Sequence, residues 1–129
     1  MILITKRQHF IRATLESIAY QSYSVLHAME QDVETDITTL KVDGGASAND
    51  FLMQFQADIS RVKVVRPAMM EATAAGAAYL AGLAVGFFKD REEIKDKMQA
   101  SREFTSEMSD RDREELLAGW HKAVDACRS

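Results

Sequence analysis

Cysteine, proline and long apolar runs are nearly absent from this sequence. It has one cysteine and one proline in 129 residues, and no apolar run approaches the roughly 20 residues that a bilayer-spanning helix needs. The lone Cys127 has no partner for an internal disulfide, so the sequence gives no sign of an oxidising compartment. We therefore expect an ordered, cytoplasmic protein with no membrane partner.

An excess of positive charge is lacking as well. The formal net charge is −4, with 28% charged and 47% apolar residues. A chain of this charge has no electrostatic basis for binding nucleic acid or anionic membranes, so we expect neither as a partner. The length suits one domain, and the apolar content is sufficient for a hydrophobic core.

Hydrophobic periodicity and turn signals divide the chain into alternating helices and strands. Helices are predicted over residues 9–31, 50–59, 71–85 and 110–127, with a short charged helix within 87–98. Strands are predicted over 37–42 and 61–66, and a brief extended piece over 103–106. Asn49 or Asp50 is expected to cap the second helix, and Ser109 the last.

This order predicts an α/β fold with few parallel strands and packed helices. Two parallel strands alone form a poor sheet, because both strands are edges. We therefore expect that part of the sheet is missing.

Two helices carry distinctive side-chain patterns. Along the first, apolar or small residues recur at alternating gaps of four and three, which marks one face: Ile11, Leu15, Ile18, Ser22, Val25 and Met29. The helix over 71–85 is unusually rich in alanine and glycine. Small side chains let a neighbour approach closely, so we expect that helix to be buried against a sheet or a bound ligand.

A glycine turn, Val-Asp-Gly-Gly-Ala-Ser-Ala-Asn over residues 42–49, joins a strand to a helix. Gly44 and Gly45 permit positive φ and close backbone approach, and free N–H groups at the start of the next helix favour an anion. The turn lacks the Gly-Lys-Ser/Thr ending of a P-loop and the spacing of a dinucleotide fingerprint. Pattern alone leaves two interpretations open, a phosphate or nucleotide site and a connection needed only for packing. The role of Asp43 is equally open: it could be a metal or water ligand, or it could stabilise the turn through its own hydrogen bonds.

No other set of residues has the spacing of a catalytic or metal site. His9, His27 and His121 are far apart in the sequence and form no ligand pattern. We expect His9 to pack or to cap a helix. Cys127 has no adjacent base and is expected to pack as a small apolar group. We predict neither a catalytic residue nor a metal ligand in this chain.

Four longer motifs lie in order along the chain from His9 onward: HFIRATLESIAYQ at 9–21, KVDGGASANDFLMQFQADI at 41–59, RPAMMEATAAGAAYLAGLAVGFF at 66–88 and AGWHKAV at 118–124. In that order they resemble the second half of the FGGY signature, the adenosine-side motif, the helix after it and the C-terminal helix of glycerol kinases. The chain thus resembles the FGGY carbohydrate kinase family. The resemblance implies an incomplete actin-like (ribonuclease H-like) ATPase domain.

The resemblance also implies a nucleotide site at the glycine turn. Gly45 matches the family glycine whose backbone approaches the nucleotide phosphates. Asn49 matches the asparagine that contacts the adenosine end, and Gly44 and Ala46 line the same turn. The implied ligand is ATP or ADP with Mg²⁺, and the family reaction transfers a phosphoryl group from MgATP to glycerol.

By the same resemblance, residues 1–129 form the C-terminal part of the kinase's second domain. Residues 1–8 are a divergent start, 9–86 the adenosine-side ATP-binding core and 87–129 a helical C-terminal tail. The family's phosphate loop, glycerol-binding residues, catalytic aspartate and first strands of this domain have no counterpart here. We therefore expect no kinase activity from the chain alone, unless the missing kinase portion is supplied as a partner.

Two alternatives stay open beside this interpretation. The chain could be a non-enzymatic remnant that forms a homo-oligomer through uncovered strand edges and apolar faces. It could also be an unrelated α/β interaction module, although the length and order of the motifs argue against this.

Overall fold

A small sheet flanked by helices makes up the fold. The computed structural model describes residues 4–68, 71–98 and 100–129. In chain order the elements are α1 (Arg7–Val33), β1 (Thr39–Lys41), a 3-10 turn (Gly45–Ala48), α2 (Asp50–Ser60), β2 (Lys63–Pro67), α3 (Ala72–Ala84), α4 (Arg91–Lys97), β3 (Ala100–Phe104) and α5 (Asp110–Arg128). The predicted α/β class is confirmed. None of the helices in these ranges has the length and hydropathy of a membrane span.

The sheet is mixed, with strand order β1-β2-β3. β1 and β2 are parallel, with Thr39 opposite Lys63. β3 is antiparallel to β2, with Phe104 opposite Val64. The expectation of only two strands, both edges, is therefore wrong. The extended piece predicted over 103–106 overlaps the end of a third strand, which makes β2 central and leaves β1 at one edge of the described sheet.

Helix α2 is the centre of the hydrophobic core. It buries seven residues, Leu52, Met53, Phe55, Gln56, Ala57, Asp58 and Ile59. Ala19 and Tyr20 of α1 cover it from one side, and Val64, Phe104 and Leu117 cover it from the sheet and α5. Five of these seven residues are apolar, and the two buried polar side chains, Gln56 and Asp58, are hydrogen-bonded to Ser60 and to the backbone of Glu107.

Side-chain hydrogen bonds fix the beginnings of α1, α2 and α5, and Asp90 caps α4 in the same way. The N–H of Leu52 donates to Asn49 Oδ1 at 2.9 Å, and the N–H of Asp112 donates to Ser109 Oγ at 3.2 Å. His9 Nδ1 accepts from the N–H of Lys6 at 2.9 Å, at the start of α1. These bonds satisfy N–H groups that have no intrahelical acceptor. The predicted caps Asn49 and Ser109 and the capping role of His9 are confirmed.

The apolar face predicted for α1 is largely exposed. Of its predicted apolar face, Ile11, Ile18, Val25 and Met29 are between 41% and 59% exposed. The buried residues of α1 are Ala19 and Tyr20, and Leu15 of the predicted face is partly buried against the core. The core therefore lies beside the predicted face.

The predicted packing of α3 against a sheet is wrong, and so is the packing predicted for Cys127. Gly82 is the buried residue of α3, where the Phe88 ring lies against it, and Leu80 is 70% exposed. Small side chains allow a neighbouring element to pack closely, but they do not ensure that such an element is present. Cys127, at the end of α5, is exposed.

Candidate functional site

The glycine turn lies at the carboxyl end of β1 and leads into α2. Because β1 and β2 are parallel neighbours, their carboxyl ends lie side by side, and the turn follows the end of β1. Ligands of open α/β sheets bind at the carboxyl ends of parallel strands. The turn therefore occupies the edge where a ligand site is expected.

Ser47 holds the turn in shape. Its hydroxyl donates to the carbonyl oxygen of Gly44 at 2.6 Å, and its backbone N–H donates to the same oxygen at 3.1 Å. Ser47 is only 2% exposed. Gly44 has φ 83° and ψ 173°, a backbone region that is essentially restricted to glycine. Among the described residues it is Ser47 that braces the turn, a role that the sequence analysis considered for Asp43.

The outer side of the turn is open. A Cβ atom built on Gly44 or Gly45 would meet no atom within 4 Å, and Ala46 is exposed. The first N–H groups of a helical turn have no intrahelical acceptor, so those of Gly45 and Ala46 are suited to an anion that approaches closely. This geometry fits the phosphate portion of a nucleotide.

Asn49 has a structural role and a free functional group. Its Oδ1 accepts the capping bond from Leu52, whereas its Nδ2 carries two N–H donors that the cap does not use. Asn49 is exposed. The four predicted site residues, Gly44, Gly45, Ala46 and Asn49, thus lie together on one turn.

An ion-pair network beside the turn was missed by the sequence analysis. Asp50 accepts from Arg66 at 2.7 Å and from Arg102 at 2.7 Å, and Arg66 also donates to the carbonyl oxygen of Ser47 at 3.1 Å. Both guanidinium groups lie over the Phe104 ring. The hydrogen bond from Arg66, with the positive charge of Arg102 nearby, lowers the pKa of the Asp50 carboxyl from its usual 3.8. The network ties the turn and the start of α2 to β2 and β3.

A groove ends beside the turn. It has a volume of about 480 Å³ and lies between α1 and β1, lined mainly by Ser22, Val25, Leu26, Leu40 and Val42, together with Asp43. Within residues 4–68, 71–98 and 100–129, no group of three or more histidine, cysteine or carboxylate side chains could hold a metal ion.

Comparison with known proteins first identifies the family of this chain. Residues 4–85 match the model of the FGGY family of carbohydrate kinases, C-terminal domain. The chain belongs to this family.

Within it, the chain is similar to glycerol kinases. Glycerol kinase 1 of Clostridium tetani (strain Massachusetts / E88) is 60% identical over 118 residues, which are 92% of this chain and 24% of that protein. The glycerol kinase of Listeria monocytogenes serotype 4a (strain HCC23) is 58% identical over 125 residues, 97% of this chain and 25% of that protein. The chain thus spans about a quarter of the length of the curated relatives it matches.

Solved structures are consistent with this family assignment. The crystal structure of Plasmodium falciparum glycerol kinase with ADP superposes with a TM-score of 0.85 at 34% identity, over 98% of this chain and 25% of that one. Xylulose kinase from Rhodospirillum rubrum gives a TM-score of 0.70 at 22% identity, over 98% of this chain and 25% of that one, which shows the shared fold. The predicted resemblance to glycerol kinases and the incomplete actin-like kinase fold are confirmed.

Proposed function

We propose that this chain carries the adenosine-side part of the nucleotide site of a glycerol kinase, an enzyme that transfers a phosphoryl group from MgATP to glycerol. The observation that carries the proposal is the identity of 58–60% to glycerol kinases across 92–97% of the chain. The related structure from Plasmodium falciparum contains ADP, which supports an adenine nucleotide as the ligand. The same function supports a cytoplasmic location, where MgATP is available.

The roles of the turn residues follow from its geometry. Gly44 supplies the positive φ that the turn needs, and Gly45 leaves open space for a phosphate oxygen to reach the backbone. The N–H groups of Gly45 and Ala46 would donate to phosphate oxygens. The side-chain amide of Asn49 would donate to the adenosine end while its oxygen continues to cap α2.

In this proposal, the residues that bind and activate glycerol belong to other parts of the kinase. Residues 9–86 hold the nucleotide, 1–8 are a divergent start, and 87–129 form a tail that packs on α2. Mg²⁺ would arrive on the nucleotide phosphates, the usual way in which phosphoryl-transfer enzymes bind it. Because the turn would bind only the nucleotide, we expect that the chain by itself does not phosphorylate glycerol. It would contribute to turnover only when the remaining kinase portion is present.

A nucleotide titration followed by NMR tests the proposal. ADP and MgATP are added to the ¹⁵N-labelled chain while the amide signals of residues 44–49 are followed. Saturable shifts confined to the turn are expected. Gly45→Ala should weaken binding at least about tenfold, since its methyl group fits the free protein but occupies the space of a phosphate oxygen.

Two matched variants separate binding from folding. Asn49→Ser keeps a capping oxygen and removes the amide donor, so it should weaken adenosine binding without unfolding α2. Gly119→Ala adds a methyl group in open space on α5 and should leave binding unchanged. A well-dispersed spectrum with no nucleotide-dependent shift in the turn would contradict the proposed site, and so would a titration in which Gly45→Ala binds as the unmodified chain does.

A further inference from the structure

Arg66 reaches the glycine turn from the neighbouring strand. β1 and β2 are still hydrogen-bonded where the N–H of Val42 donates to the carbonyl oxygen of Val65 at 3.1 Å. Arg66 is the next residue of β2, near the carboxyl end of that strand. Its side chain is only 15% exposed. A largely buried guanidinium group therefore lies at the edge of the sheet from which the turn leaves β1.

The hydrogen bonds of Arg66 lie on both sides of Asn49. Its Nη1 donates to the carbonyl oxygens of Ser47 at 3.1 Å and Ala48 at 3.4 Å, and to Asp50 Oδ1 at 2.7 Å. The first two acceptors precede Asn49 in the chain and the third follows it. Because the chain is held before and after Asn49, Arg66 helps to set the direction in which the Asn49 side chain leaves the turn.

Arg66 is itself held rigidly. Its guanidinium carbon lies 5.3 Å from the centroid of the Phe104 ring, and Phe104 is 2% exposed. The carboxylate that it binds, Asp50, is held at its other oxygen by Arg102 at 2.7 Å. A planar guanidinium group that lies on a ring face and binds a fixed carboxylate loses little further freedom on making its other bonds. The contacts to the turn therefore come from a preorganised group.

We infer that Arg66 is a positioning residue of the nucleotide site, which acts through Asn49. The inference rests on the proposed function, in which the side-chain amide of Asn49 donates to the adenosine end of the nucleotide. A binding group needs support from residues whose own conformations are fixed by packing and hydrogen bonds. Arg66 supplies that support from β2, so its loss leaves the amide of Asn49 present but poorly aimed.

A double-mutant cycle on ADP binding tests the inference. The Kd for ADP is measured by NMR titration of the unmodified chain, of Arg66→Gln, of Asn49→Ser and of the double variant. Arg66→Gln should raise the Kd at least about fivefold in the unmodified chain, but less than about twofold in the Asn49→Ser background, where the amide that it positions is absent. A role in general stability would give the same factor in both backgrounds.

Three further variants separate positioning from charge and from folding. Lys63→Gln removes one positive charge from an exposed position on the same strand and should leave the Kd unchanged. Arg102→Gln removes a positive charge from the other oxygen of Asp50 and should raise the Kd less than Arg66→Gln does. Arg66→Lys keeps the charge but not the planar fork, so its Kd should be intermediate. The same cycle is carried out with Arg66→Lys if the spectrum of Arg66→Gln loses its native dispersion.

The possible outcomes distinguish this inference from the proposed function. If Gly45→Ala weakens ADP binding and Arg66→Gln does not, the inference is overturned and the proposed function stands. Equal factors for Arg66→Gln in the two backgrounds, or equal effects of Arg66→Gln and Arg102→Gln, would overturn it as well. If ADP shifts no signal of the turn in the unmodified chain, the proposed function is contradicted and the inference is overturned with it.

Discussion

Tyr20 of α1 stacks on Trp120 of α5, with ring centroids 5.2 Å apart and planes at 12°. The edge of the Phe55 ring from α2 meets Tyr20 at 5.5 Å, so three helices converge on one aromatic cluster. The family match ends at residue 85, well before α5. The tail is nevertheless part of the core, because this stack and the buried Leu117 attach it to α1 and α2.

Replacing Trp120 is expected to loosen the tail. Trp120→Ala should lower the free energy of unfolding by about 2 kcal/mol, less than the ~3–5 kcal/mol of a fully buried aromatic residue. Trp120→Phe keeps a stacked six-membered ring but loses the rest of the indole and its Nε1 bond to Ser24, so it should cost less than the alanine variant, about 1 kcal/mol. Urea unfolding gives both values. His121→Ala, exposed on the same helix, is the control, and an alanine variant of Trp120 as stable as this control would contradict the role of the stack.

Asp58 of α2 is expected to hold the segment that precedes α5. Its Oδ1 accepts from the backbone N–H groups of Glu107 and Met108 at 2.8 and 3.3 Å, and Asp58 is 8% exposed. Asp58→Ala leaves those donors without this acceptor and should cost about 2–3 kcal/mol. Asp58→Asn keeps an acceptor oxygen and should cost less. Amide exchange at Glu107 and Met108 should accelerate in the alanine variant; unchanged exchange there would refute the contact.

The local features of the fold could be predicted from the sequence. Caps such as Asn49 and Ser109 act within three residues, and helical periodicity is repeated over many turns, so both are visible in a single chain. The side of α1 that is buried could not be predicted. Two apolar surfaces share that helix, and the more regular one, through Ile18 and Val25, is the one the core leaves exposed.

The candidate site also has a part that the sequence could predict and a part that it could not. Gly44, Gly45, Ala46 and Asn49 are predicted together because the resemblance to the FGGY family implies a nucleotide site at this turn, and the turn is continuous in sequence. The network around it depends on Asp50 meeting Arg66 and Arg102, 16 and 52 residues away. The second contact exists only because β3 returns antiparallel to β2, and no local pattern encodes that pairing.

Asp50 is expected to make stability depend on pH in the acid range. Its pKa is lowered in the folded state by Arg66 and Arg102, so its stabilising contribution is complete above the usual carboxyl pKa of 3.8. That contribution is lost as the pH falls through the lowered value. The Asp50→Asn variant lacks this contribution. Its Tm should therefore differ from that of the unmodified chain at neutral pH, and the difference should vanish in strong acid. Salt should narrow the difference at neutral pH, because the carboxylate and Arg102 are about half exposed and screened. A difference that is independent of pH would count against the ion pairs.

The two glycines of the turn are expected to differ in how much stability is lost when each is replaced by alanine. Gly44 has φ 83° and ψ 173°, so Gly44→Ala forces a side chain into a region that costs roughly 1–3 kcal/mol. Gly45 has no positive φ, and its Cβ would meet no atom within 4 Å, so Gly45→Ala should change the free energy of unfolding by less than about 0.5 kcal/mol. Urea unfolding of the two variants beside the unmodified chain measures the contrast. Equal costs at both positions would show that the turn does not have this backbone. A stable Gly45→Ala protein with weakened nucleotide binding would instead mean that this glycine is required by the ligand rather than by the fold.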